Sequence, residues 1–173
     1  MTLHPNLHKA FAQGHALKII SGLTNFDLTN VLAVAKAAQQ GGATFVDIAA
    51  DADLVRQVSQ YISLPICVSA IDPEAFLAPV AAGAMLIEIG NFDAFYAQGL
   101  RFEAKDVLTL TQRTRELLPH ILLSVTVPHT LPLNEQVQLA EDLVAMGADI
   151  IQTEGVTTTQ PVPPGTLGVI GKA

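Results

Sequence analysis

Short apolar runs, each ending in a turn signal and most followed by an amphipathic stretch, set the tightest limit on what this chain can fold into. The first is Leu17-Lys-Ile-Ile-Ser-Gly22, after which Asp27 stands where an N-cap is needed for a helix over Leu28 to Gln40, closed by Gly41-Gly42. The unit recurs as a strand from Thr44 to Ala49, a cap at Asp51 and a helix to about Ile62. It recurs again as a strand from Pro65 to Ile71, a helix start at Asp72-Pro73-Glu74 and a stop at Ala82-Gly83. The next strand is Met85 to Gly90, and Asn91 to Lys105 is a long connection carrying Phe92, Phe95, Tyr96 and Phe102, expected to fold as an ordered loop or short helix. A helix over about Asp106 to Leu118, a strand from Ile121 to Val127, a helix capped by Asn134 and running to Met146-Gly147, and a strand from Asp149 to Glu154 follow. A Thr- and Pro-rich loop over 155–164 and the start of a further helical pattern over 165–173 end the chain. A leading helix over Asn6 to His15 precedes the series and is expected to cap one end of the fold.

Strands alternating with helices require a parallel sheet joined by right-handed crossovers, and strands apolar on both parities require that sheet to be covered by helices or closed into a barrel. No G-x-G-x-x-G or Walker sequence follows the first strand, so the expected class is α/β of the (β/α)8 TIM-barrel type, with six β/α units present. With 173 residues, 50% of them hydrophobic, the chain reads as a single barrel domain over 1–173. A formal charge of −7 and the lack of any Lys or Arg run argue against nucleic acid or an anionic membrane surface as a partner. No stretch of about 18 apolar residues is present to span a bilayer. Cys67 is the only cysteine, so no internal disulfide forms, and its plainest reading is a small buried hydrophobe.

Polar intrusions into the apolar runs locate a candidate site. Residues two apart on a strand share a face. Phe45, Asp47 and Ala49 therefore share one, as do Cys67 and Ser69, Leu86, Glu88 and Gly90, Ser124 and Thr126, and Ile150, Gln152 and Glu154, while Lys18 aligns with Ile20. One face carries most of the strand polar groups, as the lining of a barrel interior would. Glu88, in the middle of Ala84-Met-Leu-Ile-Glu-Ile-Gly-Asn91, must be protonated, paired or facing a cavity. Lys18 beside Asp47 or Glu88 reads either as an ion pair ordering the barrel floor or as a tuned acid, base or Schiff-base amine. The catalytic candidates are Glu88, Lys18 and Asp47. The substrate-binding candidates are Asn91, Thr126, His129, Gln152 and Glu154, at the C-terminal strand ends where barrel enzymes gather their ligand contacts. His4 and His8, four apart on the leading helix, lack a third ligand and read as surface. No metal spacing is present; a metal-dependent variant would use Asp47, Glu88 and Glu154 as oxygen ligands for Mg²⁺. No cofactor is specified.

The phrases Leu17-Lys-Ile-Ile-Ser-Gly22, Gly42-Ala-Thr-Phe-Val-Asp-Ile-Ala-Ala-Asp51, Leu64-Pro-Ile-Cys-Val-Ser-Ala-Ile-Asp-Pro73, Ile87-Glu-Ile-Gly-Asn-Phe-Asp93, Val125-Thr-Val-Pro-His-Thr130 and Ile151-Gln-Thr-Glu-Gly155 occur in this order. Together they resemble the hypothetical chloroplast reading frame twenty-three family of cyanobacteria and algal plastids, across nearly the whole chain. The resemblance implies a TIM barrel of the phosphate-binding type and a location in plastid stroma or cyanobacterial cytoplasm; it brings no catalytic residues with it. More remotely, Leu86-Ile-Glu-Ile-Gly90 followed by Phe92-Asp93 is similar to the carboxylate-bearing strand of tryptophan synthase alpha subunits, without a wider match. Members of the family continue through two further strands, whose loops would grip a substrate phosphate, and this chain is about 80 residues short of the typical barrel of about 250. It is therefore expected to be truncated before strands seven and eight, or to cover its open edges as a homo-oligomer. The expected function is that of an enzyme on a small phosphorylated or carbonyl metabolite, an isomerase, lyase or synthase. The alternative is a non-catalytic metabolite-binding or regulatory barrel.

Overall fold

In the computed structural model, which describes residues 5–154 other than residue 97, six parallel strands form one sheet in the order β1-β2-β3-β4-β5-β6. The strands are β1 (Lys18–Ile20), β2 (Phe45–Ala49), β3 (Ile66–Ala70), β4 (Leu86–Ile89), β5 (Leu122–Val127) and β6 (Ile150–Thr153). Every neighbour in the sheet is also the next strand in sequence, which is the winding of a barrel; a doubly wound sheet would reverse direction partway. The strands and their helices make a half-barrel of the TIM type. The helical patterns over 165–173, the loop over 155–164 and His4 lie outside the described residues.

The helices are α1 (Pro5–Ala12), α2 (Leu28–Gln40), α3 (Ala52–Val58), α4 (Leu77–Ala81), α5 (Asp93–Tyr96), α6 (Ala104–Leu117) and α7 (Leu133–Ala145). Asp27 and Asp51 cap α2 and α3 by accepting from the backbone N–H groups of Asn30 and Leu54, each at 2.8 Å. The helix expected from Asp72 to Gly83 forms only in part: Asp72 opens a 3-10 turn over Pro73–Phe76 that only then becomes α4. Pro79 has no N–H to return to Ala75, so the segment cannot wind as one continuous α-helix. Two other boundaries differ. α6 starts at Ala104, with the Asp106 carboxylate reaching back to the Glu103 N–H at 2.9 Å from inside the first turn. Asn134 lies within α7, whose N-cap position is held by Pro132 without a side-chain bond.

Two hydrophobic cores occupy the two faces of the sheet. The outer face, including Val46, Ile48, Val68, Ile87, Ile89, Leu123 and Val125, packs on buried helix residues such as Val31, Leu54, Val55, Val107, Leu139 and Leu143. The inner face has a smaller core of Phe45, Cys67 and Leu86, closed by Leu7 and Phe11 from α1. The leading helix therefore caps the interior, with the Phe11 and Phe45 rings 6.0 Å apart. Leu7 is 1% exposed, while its neighbour His8 faces outward. Replacing a buried leucine by alanine removes contacts and leaves a cavity, so Leu7→Ala is expected to cost about 2–4 kcal/mol in urea unfolding. His8→Ala should stay within about 0.5 kcal/mol of wild type. Equal effects of the two would show that α1 does not seal the interior.

Candidate functional site

The inner-face polar residues converge as their parity indicated. Lys18 Nζ, on the first strand, lies 2.5 Å from Glu88 Oε2 on the fourth and 2.5 Å from Gln152 Oε1 on the sixth. It also lies 3.8 Å from Asp47 Oδ2. Gln152 Nε2 donates to Glu88 Oε1 at 3.2 Å, which closes a ring of three side chains across the interior. Sheet register sets the heights: Glu88 is level with Ser69 and Ser124, and Thr126 with Gln152. The three charged groups are buried to different extents, with 14% of the Lys18 side chain exposed against 1% for Asp47 and none for Glu88.

Burying two carboxylates around one ammonium leaves a negative excess in a place with little water. Asp47 absorbs it. Burial first, and then the Glu88 charge, push the Asp47 carboxyl up to about 7, against the pull of Lys18 and Ser69. Ser69 Oγ lies 2.6 and 2.7 Å from the two Asp47 oxygens and donates to them. Burial likewise raises the Cys67 thiol, followed by the nearby Asp47 and Glu88 charges, so Cys67 is not a thiolate nucleophile. The Ser124 and Thr126 hydroxyls are buried and have no hydrogen-bond partner among the described residues. Each such orphan costs roughly 1–3 kcal/mol, a cost that a bound polar group would remove. Ser124 shares with Lys18, Glu88 and Gln152 the wall of a cavity of about 170 Å³.

The break after the fourth strand explains two residues. A Cβ on Gly90 would overlap Thr126 Oγ1 and sit 2.5 Å from Thr126 Cβ, so the glycine is required by close approach of the fifth strand. Asn91 follows with φ 58°, in the left-handed region that asparagine tolerates, and its Nδ2 lies 3.4 Å from Glu88 Oε1.

Two of the expected binding residues are elsewhere engaged. Glu154 Oε1 accepts from the Asp93 N–H at 3.2 Å, and Oε2 from the Tyr96 hydroxyl at 2.8 Å and the His129 N–H at 3.0 Å. His129 Nδ1 is also 3.0 Å from Oε2. Burial, then the Glu154 carboxylate, raise the Tyr96 phenol, which stays protonated and donates. Glu154 thus ties the loop after the fourth strand to the loop after the fifth, forming a rim apart from the Lys18 ring. Among the described residues no three His, Cys, Asp or Glu side chains form a metal-sized cluster, so the Asp47, Glu88 and Glu154 ligand set is not assembled. Ser69 and Tyr96 are partners that sequence reasoning did not place in the site. Ser69 was visible through its shared parity with Cys67; Tyr96, in an irregular aromatic loop, had no periodic signal.

Residues 3–173 match the family described as "Protein of unknown function (DUF561)". The chain belongs to this family. Its relatives include an "Uncharacterized protein ycf23" of Pyropia yezoensis, 40% identical over 173 residues, which covers 100% of this chain and 63% of the relative. The ycf23 protein of Cyanophora paradoxa is 54% identical over 144 residues, covering 83% of this chain and 59% of that one. The chain thus spans about three-fifths of the length of these DUF561 relatives. Solved structures similar to it include "QR15, an Aldolase" at TM-score 0.59 and 15% identity, covering 83% of this chain and 70% of that one. A 2,3-dimethylmalate lyase of the PEP mutase/isocitrate lyase superfamily has TM-score 0.58 and 12% identity, covering 91% and 65%. The phospho-2-dehydro-3-deoxyheptonate aldolase of Thermotoga maritima has TM-score 0.59 and 14% identity, covering 91% and 46%. At these identities the likeness shows the fold.

Two tests follow from the packing and charge of this site. Gly90→Ala is expected to lower stability by about 2 kcal/mol or more in chemical unfolding. Adding Thr126→Ala should restore only part of this, because the Cβ contact remains. Asp47 binds more protons folded than unfolded between its ordinary range and about 7, so its ionisation progressively destabilises the fold as pH rises through that window. Asp47→Asn should therefore gain thermal stability relative to wild type from about pH 4 to about pH 7, with a constant difference above that; a pH-independent difference would refute the raised carboxyl.

Proposed function

We propose that the protein is an enzyme acting on a small carbonyl metabolite, phosphorylated at its outer end, by chemistry of the isomerase, lyase or synthase type. The observation that carries this reading is the half-buried Lys18 ammonium held between Glu88 and Gln152 and beside an Asp47 carboxyl poised near neutrality. Many such reactions pass through an enolate formed by moving a proton at the carbon beside a carbonyl, a step that needs a base at that carbon and a fixed positive charge at the oxygen where negative charge develops. Glu88 supplies the base. Lys18 supplies the charge, and Asp47 with Ser69 holds Lys18 in place while offering a proton near pH 7. Asn91 and Gln152 hydrogen-bond Glu88, Thr126 lies level with Gln152 on the neighbouring strand, and the His129 and Glu154 rim orders the loops above it. The aldolase and lyase neighbours support a barrel of this chemical kind. Relatives encoded in the plastid genomes of red algae and Cyanophora support work in plastid stroma or cyanobacterial cytoplasm.

A second reading is favoured by one feature: Lys18 is tied by an ion pair to Glu88 and a hydrogen bond to Gln152, which makes it a poor nucleophile, suits a binding barrel with a charged structural floor and weighs against a Schiff-base amine. Proton NMR in D₂O over a panel of small aldehydes and ketones, with and without phosphate, separates the two. The enzyme reading expects exchange at the carbon beside the carbonyl, reduced roughly 10²–10⁴-fold in Glu88→Gln with circular dichroism and melting temperature retained. No exchange in wild type, or loss of folding in Glu88→Gln without any wild-type exchange, supports the binding barrel.

A further inference from the structure

The cavity beside Lys18 has two unlike halves. One is polar, made by Lys18, Glu88, Gln152 and Ser124; the other is apolar, made by Phe11, Phe45, Leu86 and Ile150. Its volume of about 170 Å³ compares with roughly 150 Å³ for an apolar cavity that accepts benzene. The deep wall consists of buried residues, Phe45, Leu86, Glu88 and Ser124, whereas Lys18, Ile150 and Gln152 are partly exposed and belong to the two outermost strands. Among the described residues the cavity therefore opens between β1 and β6, with Phe11 of α1 and the exposed Ala16 at its lower edge.

The hydrogen bonds already made define what can enter. Lys18 is bonded to Glu88 and Gln152, and both polar ends of the Gln152 amide are used. The Ser124 hydroxyl, on a residue 4% exposed, has none among the described residues. One ammonium faces two carboxylates, so the cluster holds no surplus positive charge for a carboxylate or phosphate head. An uncharged carbonyl or hydroxyl, able to use Ser124 and the remaining Lys18 hydrogen, fits the polar half.

We propose that this cavity binds an uncharged carbonyl or hydroxyl group bearing a short apolar tail, with the oxygen at Ser124 and Lys18 and the tail against Phe11, Phe45, Leu86 and Ile150. The inference deepens the enzyme reading, on which it rests, by defining the inner end of the substrate as uncharged and apolar; any phosphate then lies at the outer end. It assigns to α1 the role of shaping a ligand pocket as well as sealing the interior.

The test is a titration of the full chain with 2-butanone, followed by backbone amide NMR shifts, with inorganic phosphate and 2-oxobutanoate as charged controls. Saturable, roughly millimolar shifts at Phe11, Leu86, Ser124 and Ile150 are expected for 2-butanone, and none at these residues for phosphate. Ser124→Ala should weaken the binding about tenfold. Leu86→Phe fills the cavity from its deep wall, and Ile150→Phe fills it from the mouth if the first variant does not fold; either should abolish the shifts. No saturable response in wild type, a response unchanged by the filling variant, or phosphate responding at the same amides overturns the inference. The two proposals fail separately. Butanone seated here with no Glu88-dependent exchange sinks the enzyme reading alone, and Glu88-dependent exchange without butanone binding sinks the cavity alone.

Discussion

Among the described residues, Lys18 is the only cation on the inner face of the sheet, and the other interior polar groups are arranged around its ammonium. It joins the first strand to the fourth and sixth by direct bonds and to the second by a longer ion pair. Stripping two carboxylates and an ammonium of water is unfavourable unless each retains partners of nearly the strength water supplied. Each does: Glu88 has Lys18, Gln152 and Asn91, and Asp47 has Ser69 and Lys18. Burial, and then the Glu88 charge, raise the Asp47 carboxyl. Removing Lys18 would leave two buried carboxylates without their shared cation, so the ionisation of the interior depends on one side chain.

Polar groups on the half-barrel divide by height and by work. At mid-height the Lys18 ring is short-range, buried and next to a cavity. Above it, Glu154 gathers the Asp93 and His129 backbone N–H groups and the Tyr96 hydroxyl, fixing two loops that would otherwise be free to move independently. Below it, the inner apolar core and α1 close the interior. A rigid rim, a charged middle and an apolar floor give a pocket whose polarity changes along its depth, and a ligand held there would be oriented by that gradient.

Local signals carried much of the fold. The alternation of strand and helix, the inward parity of Asp47, Glu88, Ser124 and Gln152, and the caps Asp27 and Asp51 were all legible, because each depends on residues within a few positions. Asn134 misled because asparagine is a good cap by itself, whereas Pro132, two positions earlier, already starts the helix with its fixed φ. The segment from Asp72 to Gly83 was legible by its start and stop signals, but the missing N–H of Pro79 breaks the hydrogen bonding of one continuous helix, so a 3-10 turn precedes α4. Glu154 and His129 were legible as neighbours of the strand ends but not as partners of each other, since their pairing depends on how far each loop reaches over the sheet.

The sequence alone determined the parallel winding, the sheet's polar and apolar faces and the membership of Lys18, Asp47, Glu88 and Gln152 in one interior, since period and parity are local properties of the chain. Tertiary structure decided that Lys18 bonds Glu88 and Gln152 in preference to Asp47, that Gly90 is a glycine because Thr126 packs onto it, and that among the described residues the Ser124 and Thr126 hydroxyls stay unpartnered, with Ser124 in the wall of a cavity. These depend on register and curvature, which set distances across the interior between residues up to 134 positions apart, and no local pattern encodes a distance of that kind.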